Sequence, residues 1–122
     1  MSEQNGYATK AALLAANKRR FTDVDVPGVG KMRLRSLTER ERSGYESGML
    51  GKDGRTNLKK IAEAKVALIV LCLCDAEDRQ LLSSADAAAL GELDSSVTNV
   101  LFDACTKHCG ISETDVEELA KN

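Results

Sequence analysis

The chain is poor in aromatic residues, histidine and proline, and each shortage removes a class of chemistry. There is no tryptophan, and Tyr7, Phe21, Tyr45 and Phe102 are the only aromatic rings. Four scattered rings neither line an aromatic ligand pocket nor stack the bases of a single-stranded nucleic acid. The one histidine, His108, stands beside Gly110 at the end of a predicted helix, where free carbonyls attract it more than base catalysis does. Long hydrophobic runs are missing too. The most apolar stretch, Val66 to Cys74 (VALIVLCLC), has nine residues, and a membrane span needs about 18 or more.

Four cysteines without a signal peptide point to a reducing compartment. Cys72 and Cys74 are too close for a zinc pair and lie in the most apolar segment; Cys105 and Cys109 flank His108 on a predicted helix. Small buried hydrophobes describe these cysteines better than ligands do, and neither metal nor cofactor is expected. Pro27-Gly28-Val29-Gly30-Lys31 suggests a phosphate loop and fails as one. The first glycine of that motif would fall on Asp25 and its hydroxyl residue on Met32, and an alternating strand follows where the motif needs a helix. No catalytic constellation is visible, so no enzymatic activity is expected.

What is present is charge, unevenly placed. Residues 1–65 hold fourteen Lys and Arg against eight Asp and Glu; residues 66–122 hold three against eleven. Either the surface merely segregates its charge, or the basic end of one copy meets the acidic end of the next in a head-to-tail contact that builds rings or spirals. Arg33 and Arg35 on one side, with Glu117 and Glu118 on the other, are the candidates for such self-association.

Along the chain, Met1 to Gly6 is expected to be disordered. The segment ATKAALLAANKRR from Ala8 is helix-prone, with Leu13 and Leu14 as its large apolar residues and Lys18, Arg19 and Arg20 at its C-terminal end. Phe21 to Val26 and Lys31 to Arg35 alternate as a hairpin, Val24, Val26, Met32 and Leu34 facing in, and Lys31, Arg33 and Arg35 facing out. Thr38 and Glu41 form a capping box for a helix to about Met49, and Gly48, Gly51 and Gly54 mark a mobile loop. Asn57 to Asp75 reads as one helix whose second half is apolar on both faces and is covered by later helices or by another subunit. Ser83 and then Asp94 or Ser95 start two further helices, which Gly91 and Gly110 stop, and Ser112 with Asp115 starts a last turn or two through Val116 and Leu119.

The organisation is therefore an N-terminal helical arm over 1–20 and a single, mostly helical α+β domain over 21–122, with the hairpin at 21–35 and helices from 38 onward. Candidate protein-binding residues are Leu13, Leu14, Val66, Ile69, Val70 and Leu73. Plain core packing competes as the explanation of the Val66 to Cys74 run.

This order of landmarks resembles the tail assembly chaperones of long, non-contractile-tailed phages. The pieces that carry the likeness are KAALLAA, VDVPGVGKMRLRSLTERERSGYE, AKVALIVLCLCDAEDRQLLS, ALGELDSSVTNVLFDACTKHCGIS and DVEELAKN. The chain departs from the family's pattern at Gly28 and Val29, where an acidic residue and a Trp are common, and at Cys109, where Asn is usual. The resemblance implies a non-enzymatic factor that binds and solubilises the tape measure protein and is displaced as tail-tube protein polymerises. It implies further copies of itself and a longer frameshifted form as partners. Ala120-Lys121-Asn122 is compatible with a slippery A-AAA-AAC sequence. The expected location is the host cytoplasm and not the mature virion, with no membrane partner. Two other readings stand beside it: a small nucleic-acid-binding or regulatory protein using the basic half, and a structural tail or head-completion protein retained in the particle.

Overall fold

Pro27 and Gly28 set the turn on which the sheet is built. The Val29 N–H donates to the Val26 carbonyl at 2.9 Å, with Gly28 at φ 78° and Gly30 at φ 124°, backbone that a side chain makes costly. In the computed structural model, which describes residues 6–111, β1 (Phe21–Val26) and β2 (Gly30–Arg35) pair antiparallel as the alternation predicts. Asp23 faces Arg33 and Asp25 faces Lys31 across the ladder, so opposite charges are neighbours on the wet face. Val26 and Leu34 are buried on the other face, with Val24 and Met32 packed beside them. The predicted turn from Ser112 through Val116 and Leu119 lies outside the described residues, as do Glu117, Glu118 and the first five residues.

The arm differs from its expectation. Its helix, α1, covers only Lys10–Leu14, capped by Thr9, whose hydroxyl accepts from the Ala12 N–H at 3.1 Å. Lys18, Arg19 and Arg20 lie beyond the helix, and the Arg20 backbone finds its partners in the hairpin. Arg20 and Ser36 extend the hairpin by another rung: the Ser36 N–H donates to the Arg20 carbonyl and the Arg20 N–H to the Ser36 hydroxyl, each at 2.8 Å. Five residues of helix are too few to hold without packing.

The capping box forms as expected at the start of α2 (Glu39–Ser47). Thr38 Oγ1 accepts from the Glu41 N–H at 3.2 Å, and Glu41 Oε1 accepts from the Thr38 N–H at 2.9 Å. The glycine loop that follows is hydrogen-bonded: Leu50 and Thr56 bridge, and the Gly51 N–H donates to the Arg55 carbonyl at 2.7 Å.

Asn57 caps α3 (Leu58–Cys72) by accepting from the Lys59 and Lys60 N–H groups. The predicted helix runs to Asp75; the observed one stops at Cys72. Leu73 and Cys74 become β3, pairing antiparallel with β2 through Leu34 and Arg33. The reason is the unfilled edge of β2, whose backbone donors and acceptors need partners that a continued helix could not supply. The chain then reverses over Asp75–Arg79, where Asp75 Oδ1 accepts from the Glu77 and Arg79 N–H groups at 2.8 and 3.0 Å and Asp78 takes φ 68°. Those backbone hydrogen bonds, Arg79 first, hold the Asp75 carboxyl below the usual carboxylate range.

Ser83 and Asp86 build a second capping box on a short 3₁₀ turn that leads into α4 (Ala87–Gly91). Asp94 caps α5 (Ser95–Cys109), and Gly110 ends it at φ 72°. α3 is covered by α2, α4 and α5 of its own chain, and α5 also lies against the hairpin. The chain itself thus covers much of the apolar run. Leu68, Ile69, Cys72 and Leu73 are within the core with Leu34, Met49 and Cys105, and each buried Leu or Ile contributes roughly 1.5–3 kcal/mol.

Candidate interaction surface

The end of α3 creates a problem that shapes the surface beside it. A helix leaves its last carbonyls unsatisfied, and two long side chains fill that role here. Arg35 Nε donates to the Leu71 carbonyl at 2.9 Å, and Gln80 Nε2 donates to the Val70 carbonyl at 3.2 Å. Arg35 also reaches Gln80 Oε1 at 3.3 Å and lies 3.8 Å from Glu41. Arg35 was expected to face out; instead its side chain is only 11% exposed, because it caps α3.

Gln80 thus holds the returning chain alongside α3, and the two Leu residues after it form one wall of an open groove of about 760 Å³. Ala67, Val70 and Leu71 supply the floor, Leu81 and Leu82 the wall, and the Ser83 to Ala87 turn closes one end. Leu81 is 44% exposed. The groove is apolar with little fixed polarity inside, since the Asp86 carboxylate is held by the Ser83 N–H at 2.8 Å. Such a lining suits an apolar side chain rather than a charged or hydrogen-bonding ligand.

A second apolar surface lies on the arm. Leu13 and Leu14 are 71% and 66% exposed, Tyr7 is also open, and α1 buries none of its residues. The base of the arm is nonetheless fixed. Arg19 makes a forked pair with Glu41 at 2.7 and 3.1 Å and donates to the Ser36 carbonyl at 3.1 Å. Burial alone would raise the Glu41 carboxyl, but Arg19, the Thr38 N–H and Arg35 more than offset it and hold its pKa down. Arg20 donates to the His108 carbonyl at 3.0 Å, while His108 Nε2 lies 3.0 Å from the Arg20 carbonyl, which makes that ring nitrogen the donor.

The predicted site residues therefore separate. Leu13 and Leu14 stand exposed on the arm, Val66 is half-buried against the core, Ile69 and Leu73 are inside it, and Val70 is buried in it too, although it borders the groove. Arg33 stays on the wet face, paired with Asp78 and 3.6 Å from Asp23. Ala67, Leu71, Leu81 and Leu82 were missed as groove residues. Their signal was the pair of leucines directly after a polar turn, an arrangement that leaves apolar side chains near a helix end.

Three of the four thiols meet where α3 and α5 end. Cys72 Sγ and Cys109 Sγ are 3.7 Å apart, and the buried Cys105 thiol, one turn earlier on α5, also acts on Cys72. The neighbouring Cys105 thiol foremost, together with burial, raises the Cys72 thiol; Cys72 and burial raise Cys109. Burial also pushes Tyr45 up to about 12. Among the described residues there is no group of three or more His, Cys, Asp and Glu disposed to hold a metal ion, and no helix long and apolar enough to cross a membrane.

Fold and surface together define a small α+β domain that presents an apolar arm and an apolar groove. Among solved structures, the tail assembly chaperone of bacteriophage HK97 has a similar fold, with a TM-score of 0.57 and 21% identity over 80% of this chain and 94% of that one. In sequence, no family model and no curated protein matches the chain.

Proposed function

We propose that the chain is a phage tail assembly chaperone that binds the tape measure protein and keeps it soluble until tail-tube protein polymerises and displaces it. The observation that carries this reading is the fold, which is similar to that of the HK97 chaperone along most of both chains. The sequence landmarks point to the same family from a different direction. The exposed leucines of α1 and the groove floored by α3 are what a sleeve around an apolar helix requires. In this reading the protein performs no chemistry, associates with further copies of itself and with a longer frameshifted form, works in the host cytoplasm, and is absent from the finished particle. The nucleic-acid alternative is weakened because Arg19, Arg33 and Arg35 are engaged within the chain and are less available for phosphates.

Co-expression with the tape measure protein encoded by the same phage tests the proposal. The tape measure protein is expected to move from the pellet to the supernatant, and mass spectrometry of purified virions is expected to lack this chain. A tape measure protein that stays insoluble, or a stoichiometric presence in virions, would overturn it.

A further inference from the structure

We propose that Cys72 and Cys109 form an oxidisable pair, a modification site at which a disulfide staples the end of α3 to the end of α5. The two sulfurs come from residues far apart in sequence and are already in van der Waals contact at 3.7 Å. A disulfide needs about 2.05 Å between them, and both residues are the last of their helices, where side-chain rotation with a small shift of the α5 end supplies the remaining approach. Leu73 has already turned into β3, and Gly110 has taken the left-handed conformation, so neither helix must be broken.

The two thiols have different roles because their exposure differs. Cys109 is partly exposed, whereas Cys72 and Cys105 are fully buried. A small disulfide such as oxidised glutathione reaches Cys109 first. The Cys109 thiol loses its proton to solvent and attacks one glutathione sulfur, releasing one glutathione thiolate, which takes up a proton. Cys72, likewise deprotonated, then attacks Cys109 Sγ and expels the second glutathione. Two protein thiols and one oxidised glutathione become one protein disulfide and two reduced glutathiones, so electrons and protons balance. Both thiols are pushed above the usual thiol range, so the reacting thiolate is scarce and the exchange is slow. Val70 and Leu71 of the groove floor lie directly before Cys72. The staple therefore stiffens the part of α3 on which the groove is built, independently of what the groove binds.

The test treats the full chain with excess oxidised glutathione in mildly alkaline buffer, traps free thiols by alkylation and maps the products by mass spectrometry. The expected product is a monomer lighter by two hydrogens, with Cys72 joined to Cys109 and with Cys74 and Cys105 alkylated. Its melting temperature is expected to rise by several degrees and to return on reduction. Cys109→Ser should form no internal link under the same treatment and should melt at one temperature with or without oxidant. A different dominant pair, a lasting glutathione adduct on Cys109 with Cys72 still free, or a lower melting temperature after oxidation would overturn the proposal. Mapping the unsubstituted chain decides the matter even if a variant misfolds.

Discussion

Replacing Glu41 by Gln tests how the arm is held to the domain. Glu41 serves three partners at once: the forked Arg19 guanidinium at 2.7 and 3.1 Å, the Thr38 N–H at 2.9 Å, and Arg35 at 3.8 Å. Its side chain is 21% exposed, so solvent screens the pair only in part. A charge-assisted hydrogen bond contributes about 1.5–3 kcal/mol and a cap about 1 kcal/mol. Glutamine keeps the cap acceptor but loses the charge and one acceptor on Arg19, so the expected cost is about 1–3 kcal/mol at neutral pH. Urea unfolding of both proteins measures it. The sign with pH follows from the depressed pKa. The Glu41 contribution is present above its ordinary value of 4.5 and is lost as pH falls through the lower folded value. The stability gap between the native chain and the Glu41→Gln variant should therefore close in acid, from pH 4.5 downward. An equal gap at pH 7 and in acid, or a cost under about 0.5 kcal/mol, the level of an ordinary surface change, would refute the reasoning.

Three further substitutions separate core from surface. Leu68→Ala empties a fully buried site on α3 and should cost about 2–5 kcal/mol by denaturant unfolding. Leu81→Glu places a charge in the groove wall while the side chain is 44% exposed; stability should change by less than about 1 kcal/mol, while affinity for the tape measure protein by titration calorimetry should fall about tenfold or more, the effect of losing roughly 1.4 kcal/mol. The double substitution Leu13→Ser with Leu14→Ser removes apolar surface that the chain itself does not bury. Its melting curve should be unchanged and its capacity to solubilise the tape measure protein reduced.

What was legible in the sequence and what was not divides along physical lines. Pro27 with Gly28, the Thr38 to Glu41 box, the Ser83 to Asp86 box and the Gly110 stop are local signals, and each marked its element within a residue or two. β3 and the early end of α1 were not legible, because each depends on distant backbone: Leu73 on the edge of β2, and Arg20 on Ser36. Arg35 is the sharpest case. Alternation places it on the wet face, and only the fold brings the Leu71 carbonyl to it. For the same reason the groove was not legible. Val70 was marked by its apolar run, but Leu81 gains its position from Gln80 reaching the end of α3.

Light scattering during size exclusion, on this chain alone and after co-purification with the tape measure protein of the same phage, measures the central claim most directly. The account predicts self-association that rises with concentration, and then a large, soluble complex of fixed composition containing both proteins. A monomer at all concentrations that elutes apart from an aggregated tape measure protein would contradict it.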